Sequence, residues 1–311
     1  MISDLFSLHV LVGILTSGVR LATSYLYASI GETFGQLSGV LNLGVEGIML
    51  VAAYGAYIVV LQTGDPWLGL LAAILVGMVM GLGTALISVT LKAEQGISGI
   101  GVYLFGLGLS DLLFRVTVKS PQIIKGFGDI SIPVLGDLPV IGPIFFKHNI
   151  LVYGAFVLVP IAWFILNRTT FGLKIRAAGQ NPEAADTLGI SVARMRYATL
   201  TIGGALSGVA GASLSIALLN MFQQNMTSGQ GFIAVALVYF GAWKPYRVML
   251  GCLLFSMVNA LQLWIQTLGI PIPSDIALMM PYVLTIIALM FAARQAVTQP
   301  AALTKPFERG E

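Results

Sequence analysis

Charge is what this sequence has least of. Asp, Glu, Lys and Arg make up 9% of its 311 residues, against about a quarter in ordinary soluble domains. Hydrophobic residues make up 57% and the mean hydropathy is +0.91, so water is not the solvent for most of the surface. A single cysteine, Cys252, excludes an internal disulfide and a thiolate metal cluster. The two histidines, His9 and His148, sit near the ends of apolar runs and do not join Cys252 in a nucleophile–base pair or a metal site. The chain is therefore not expected to be an enzyme, and no catalytic residue, metal ligand or cofactor is assigned. No stretch reads G-x-x-x-x-G-K-[ST], which excludes a P-loop for ATP. The net charge of +3 comes without clustered Lys and Arg beside stacking aromatics, which excludes a nucleic-acid surface. Met1-Ile2-Ser3-Asp4 lacks the positive region of a secretory signal, so the first apolar run is expected to stay as a helix.

What is present is a succession of apolar segments, at about 6–30, 40–62, 66–91, 96–117, 149–167, 197–219, 230–242, 248–267 and 277–293. About 20 apolar residues cross a bilayer core. The expected fold is all-α, a polytopic transmembrane helical bundle of eight to ten spans, treated as one membrane domain over 1–311. The seventh segment is short, opening after Gly229-Gln230-Gly231 and ending at Trp243-Lys244-Pro245; short, Gly-bounded helices border pathways in transporters. Gly31 to Gly47 holds Glu32, Asn42 and Glu46 among glycines and is expected to be broken or re-entrant, with Arg20 interrupting the run before it. Gly96, Gly99, Gly101, Gly106 and Gly108, and Gly203, Gly204, Gly208 and Gly211, predict close helix packing.

Basic residues orient the chain. Arg168, Lys174, Arg176, Arg194 and Arg196 share one loop, Lys244 and Arg247 mark a second, and Arg294, Lys305 and Arg309 mark the tail. Two segments separate each group from the next, so all three are expected on the cytoplasmic side of a multi-pass membrane protein. Segment 118–148, with Pro121, Pro133, Pro139 and Pro143, is then external, as are 220–229, 268–276 and the N-terminus. Membrane lipid surrounds the rest.

Between Arg168 and Arg196 lie seven charged residues in 29 positions, the most charged residues between any two apolar segments. Asn181 suits a helix N-cap, Pro182 the first helical position, Glu183 the first turn, and Gly189 the end. The result is a short helix whose small residues, Ala184 and Ala185, form a docking face.

Thr170-Phe171-Gly172-Leu173, Arg176-Ala177-Ala178-Gly179-Gln180-Asn181-Pro182, Ala184-Ala185 and Gly189-Ile190 resemble the coupling segment of ATP-binding-cassette importer permeases. The family serves branched-chain amino acids, ribose-type sugars and nucleosides, and the likeness is greatest to nucleoside and simple-sugar permeases. Ser38 to Gly47, Gly229 to Ala236 and Phe240 to Pro245 add to it in order. Leu37 and Gln230 depart from the family pattern. The resemblance implies that Gly172, Arg176, Gly179, Asn181, Pro182, Glu183, Ala184, Ala185 and Gly189 couple to cytoplasmic ATPase subunits. It also implies a second, different permease subunit in a heterodimer, and an extracytoplasmic solute-binding protein. The solute is expected to be a nucleoside, then a simple sugar or a vitamin such as riboflavin.

Candidate pathway residues are Asn42, Glu46, Gln223 and Asn225 (with Gln224 beside them), and Asn259 and Gln262, which with Gln266 make a polar stripe. An intramembrane acid marks a functional site, but Glu46 equally suits a structural role, accepting from backbone donors or pairing with Arg20. An ion-coupled secondary transporter is the rival class; it needs buried titratable groups, and besides Glu46 few are present. Asp111 and Arg115, at i and i+4, are expected to pair.

Overall fold

The computed structural model describes residues 7–118, 120, 122–133, 135–268, 273, 276, 279–283, 286–287, 290 and 299–308. The long helices are α1 (Leu8–Leu37), α2 (Val45–Thr63), α3 (Pro66–Ala85) and α4 (Gln95–Thr117). A short ribbon follows, with β1 (Asp129–Ser131), α5 (Ile141–Phe145) and β2 (Lys147–Asn149). Then come α6 (Ile150–Arg168), α7 (Thr170–Gln180), α8 (Pro182–Thr187), α9 (Val192–Ser213), α10 (Gln230–Phe240) and α11 (Pro245–Thr267). One π turn each extends α3 through Leu86–Thr90 and α9 through Leu214–Leu218.

Seven of these helices are long and apolar enough to span a membrane, and α10 is an eighth, shorter apolar helix. The ninth apolar run and Arg294 lie largely outside the described residues, as do Pro121, Val134 and Arg309. The expected break falls within the Gly31 to Gly47 stretch. α1 runs through Arg20 and Gly31 without interruption, and the chain leaves the helix only at Ser38–Gly44. Arg20 is tolerated within this apolar helix because it reaches Asp129 at 2.6 Å, outside the bundle core. Asp111 and Arg115 pair at 3.0 Å, as their spacing predicts.

α9 occupies the centre, packed on α3, α1 and α2, and close approach there depends on glycine. A Cβ at Gly204 would stand 2.3 Å from the Gly77 carbonyl oxygen, and one at Gly208 2.2 Å from that of Ala73. Gly99, Gly106 and Gly211 are equally tight, whereas Gly101 and Gly108 face open space. Gly204→Leu is expected to prevent α3 and α9 from meeting, with the folded yield in detergent falling severalfold.

The bundle has two chemically distinct ends. At one, Arg196 donates to the carbonyls of Ser38 and Lys305, Lys92 pairs with Glu308, and a cavity of about 520 Å3 gathers Arg176, Lys244 and Arg247. At the other, Tyr57 donates to the Gln122 carbonyl, Ile124 N–H to that of Asn220, and Trp67 packs on Phe127 with ring centroids 5.1 Å apart. Segment 118–148 caps this second end. Among the described residues of this segment the regular structure is the five-residue α5 and an antiparallel pairing of β1 with β2, a small exception to the all-α expectation. Ile130, Leu135 and Ile141 stay exposed there.

His148 lies in that cap, buried, with its Nε2 2.8 Å from the Ile144 carbonyl oxygen. Burial holds its pKa below the ordinary 6.5. Below 6.5 an unfolded chain takes up the proton that the folded ring refuses. The cap is therefore expected to loosen as pH falls through about 6.5 and to level off below the folded value. Amide exchange across 129–149 as a function of pH checks this, and His148→Gln should flatten the dependence.

Candidate functional site

The first element of the site is local. Asn181 turns the chain between α7 and α8, its Oδ1 accepting from Ala184 N–H at 3.0 Å, with Pro182 in the first helical position and Glu183 in the first turn. Gly189 ends the element at φ +79°, a left-handed value that glycine takes without cost. The tertiary setting changes the docking face, however. Ala185 is 2% exposed, packed with Ala178 and Val192, so it anchors the helix. Ala184 remains on the outer side with Glu183, and the protruding apolar group is Leu188, 81% exposed.

Behind α8, the chain before it forms α7. Thr169 caps it by accepting from Gly172 N–H at 3.2 Å. Gly172 and Gly179 are where α7 touches the bundle. A Cβ on Gly179 would lie 2.1 Å from the Leu37 carbonyl oxygen at the end of α1, and one on Gly172 2.2 Å from that of Ile165. Arg176 is half-buried and lines the basic cavity. Gly179→Ala is expected to push α7 off α1 and to cost about 1–3 kcal/mol; a lower melting temperature of the purified protein reads this out.

The second element lies inside the bundle. Segment 219–229 descends from the far end, and α10 begins beside the middle of α1, where Ser24 Oγ donates to Gln230 Oε1 at 2.8 Å. From there α10 runs alongside α1 to the basic end. Ser29 donates to the Ala234 carbonyl at 3.0 Å, and the Trp243 indole to Gln36 Oε1 at 2.7 Å. The start of α10 has Gly229 at its N-cap and no side chain of its own to satisfy its free N–H groups. Glu46, in the first turn of α2, does so. Its Oε1 accepts from Gly229 N–H at 2.7 Å and from Thr227 Oγ1 at 2.5 Å, and its Oε2 accepts from Gly231 N–H at 2.6 Å. Gly231 is required for this approach, because a Cβ there would sit 2.6 Å from the Glu46 backbone nitrogen. Of the two structural roles open to Glu46, the backbone-acceptor geometry is the one present; Arg20 is engaged with Asp129 instead.

The other break is held similarly. Buried Glu32 accepts from Asn42 N–H and from Gln36 Nε2, both at 3.0 Å, and Gln95 Oε1 accepts from Leu41 N–H at 2.8 Å. Asn42 is also buried, its side-chain oxygen accepting from Gly44 N–H at 2.9 Å. The remaining candidates divide. Asn259 lies against Tyr25, next to Ser24, and Gln262 is buried, while Gln223, Gln224, Asn225 and Gln266 are exposed. The structure thus brings Glu46, Asn42 and Asn259 into one polar seam around the two breaks and leaves Gln223 and Asn225 at its outer approach. Ser24 and Thr227 also belong to the seam, as do Glu32, which the sequence places in the broken stretch, and Gln230, which departs from the family pattern. Thr227 and Ser24 carry no signal in sequence, since both are ordinary hydroxyls beside apolar runs.

A helical membrane bundle with a half-helix and a capped helix on its basic end defines a multi-pass transport permease. The chain belongs to the family described as branched-chain amino acid transport system / permease component, whose model matches residues 14–289. It is 42% identical over 262 residues to a putative glucose ABC transporter permease protein of Haloferax volcanii, covering 83% of this chain and 79% of that one. It is 37% identical to a nucleoside ABC transporter permease protein of Lactococcus lactis subsp. cremoris, over 90% of this chain and 92% of that one. It is 35% identical to a guanosine ABC transporter permease protein of Bacillus subtilis, over 93% of this chain and 94% of that one. No solved structure matches it significantly.

Proposed function

We propose that this chain is the membrane-spanning subunit of an ATP-driven importer for a nucleoside, acting as a single permease domain beside a second, different permease. The observation that carries the reading is α8: a six-residue, side-chain-capped helix joining two spans on the basic end, with Leu188 projecting from it. A plain connection between spans has no need of a cap, a buried anchor and an exposed apolar tip. The concentration of Lys and Arg at this end supports a cytoplasmic placement, where ATPase subunits would grip Glu183, Ala184, Leu188 and their surroundings. An extracytoplasmic binding protein would deliver solute to the capped far end, past Gln223 and Asn225.

ATP chemistry is assigned to the partner chains, since this sequence has no P-loop. Closure of those subunits would push α8, and through α7 the end of α1 against which Gly179 lies. α1 also carries Ser24, Ser29 and Gln36, the partners of α10 and the turn that follows it, so the push would reach the half-helix. A rigid lever acting on bistable packing is the physical requirement. Glu46, Asn42, Asn259 and Gln262 would line or support the path.

A simple sugar is the second reading, favoured by the 42% identity to a putative glucose permease protein. Uptake of labelled guanosine and labelled glucose by cells carrying the whole importer separates the two. Uptake is expected to stop when ATP is depleted with the proton gradient kept; collapse with an uncoupler alone would favour the ion-coupled transporter instead. The mass of the purified complex checks the heterodimer.

A further inference from the structure

Residues 299–308 follow the ninth apolar segment and hold four polar residues and two prolines. The structure orders them. Two turns, closed by Leu303 N–H to the Pro300 carbonyl at 3.0 Å and Lys305 N–H to that of Ala302 at 3.1 Å, fold the segment against the basic end. Ordering a residue costs about 1–2 kcal/mol of backbone entropy, so the contacts that offset it deserve an account.

They reach every element that meets α8. Ala302 N–H donates to the Gly179 carbonyl at 2.9 Å, at the end of α7. Arg196 of α9, 1% exposed, donates from Nη1 to the Lys305 carbonyl at 3.1 Å and from Nε to that of Ser38 at 3.3 Å. The tail and the α1–α2 break are thus held on one guanidinium. Lys92, beyond the π turn that ends α3, meets Glu308 at 2.5 Å. Phe307 packs beneath α8, against the cluster of Ala178, Ala185 and Val192. Between the tail and α8 runs a groove of about 540 Å3, walled by Gln180–Glu183 on one side and by Ala301, Ala302 and Lys305–Glu308 on the other.

We propose that the C-terminal segment 299–308 forms the second wall of the ATPase-docking surface and braces α8 from behind, so that the ATPase grips a composite groove instead of a lone helix. The inference rests on the reading of α8 as the coupling helix. The occupant follows from continuity: one wall of the groove is the α7–α8 turn and the first turn of α8, so a subunit seated on Glu183 and Leu188 extends over Lys305. Glu183 lies on one wall and Lys305 on the other, beside Glu308, which Lys92 engages, so the groove asks for a partner surface with both signs. Phe307 is a positioning residue. It touches neither ATP nor solute, and sets whether a push on α8 moves α7 and α9 or is lost in a rocking of α8 alone.

The test uses the whole importer, with membrane abundance, co-purified ATPase and solute moved per ATP hydrolysed as readouts. Lys305→Glu is expected to weaken ATPase retention by about tenfold. Phe307→Asn should keep ATPase bound while lowering solute moved per ATP severalfold, and Phe307→Leu should restore the ratio. A chain ending at Thr298 should show both defects; if it fails to reach the membrane, the full-length variants decide. Lys305→Glu and Phe307→Asn complexes with ordinary retention and an ordinary ratio would overturn the proposal. Leu188→Asp is the separate arm. If it keeps its ATPase, the coupling reading of α8 fails; if it loses the ATPase while the tail variants behave normally, only the role of the tail falls.

Discussion

Glu46→Ala is expected to abolish uptake and to lower the melting temperature of the purified protein by more than any other single substitution in the seam. Three donors converge on the two carboxylate oxygens, from Thr227, Gly229 and Gly231. Removing the acceptor leaves them unpaired where the side chain is 1% exposed. Each orphaned buried donor costs about 1–3 kcal/mol, and the total approaches the whole stability of a typical domain, about 5–15 kcal/mol. Glu46→Gln keeps one oxygen but turns an NH2 group toward a facing donor, so an intermediate loss is expected. Glu46→Asp keeps both oxygens on a shorter arm and should retain the most. Uptake by cells and thermal unfolding in detergent, measured on the same three variants, should rank them Asp, Gln, Ala. Wild-type stability in Glu46→Ala would show that water replaces the carboxylate at the start of α10.

Leu188→Asp is expected to eliminate uptake without harming the permease itself. The side chain is 81% exposed, so the change removes no core contact, and surface substitutions of this kind alter stability by only about 0.5 kcal/mol. Desolvating a carboxylate inside an apolar pocket of a partner costs several kcal/mol, enough to weaken ATPase binding by at least about a hundredfold. The signature is a normal amount of folded permease that copurifies without ATPase. Ala185→Asp, one turn away, should instead fail to fold, because Ala185 faces the cluster of Ala178 and Val192. The contrast between two neighbours separates docking from packing.

The distinction between Ala184 and Ala185 also marks how far sequence reading reaches. Caps, first-turn prolines and terminal glycines act over three or four residues, so Asn181 to Gly189 was legible in outline. Which alanine faces inward depends on α9 and on Phe307, more than a hundred positions away, and no local signal carries that. The same holds inside the bundle. The shortness of α10 is written in Gly229, Gly231 and Pro245, but its cap comes from Glu46, 185 positions before Gly231. The glycines between 31 and 47 pointed to a break somewhere, yet Gly31 lies within α1, where it lets α9 approach at Gly203. A packing glycine and a hinge glycine look alike until the neighbouring helix is known. The tail was least legible, because nothing local in ten residues with two prolines says that Arg196 and the packing of Phe307 will hold it.

The shared carboxylate of Glu46 has a genetic consequence. Glu46 bonds both ends of segment 227–231 to the start of α2, so the residue tolerated at 46 depends on the residue present at 227. A damaging change at Glu46 should be open to suppression by an acidic residue entering from position 227, on the opposite side of the same gap. Neither substitution alone should be silent. Selection for regained growth on the transported solute, starting from Glu46→Ala, would be expected to return second-site changes clustered in 224–231, far off in sequence and adjacent in space.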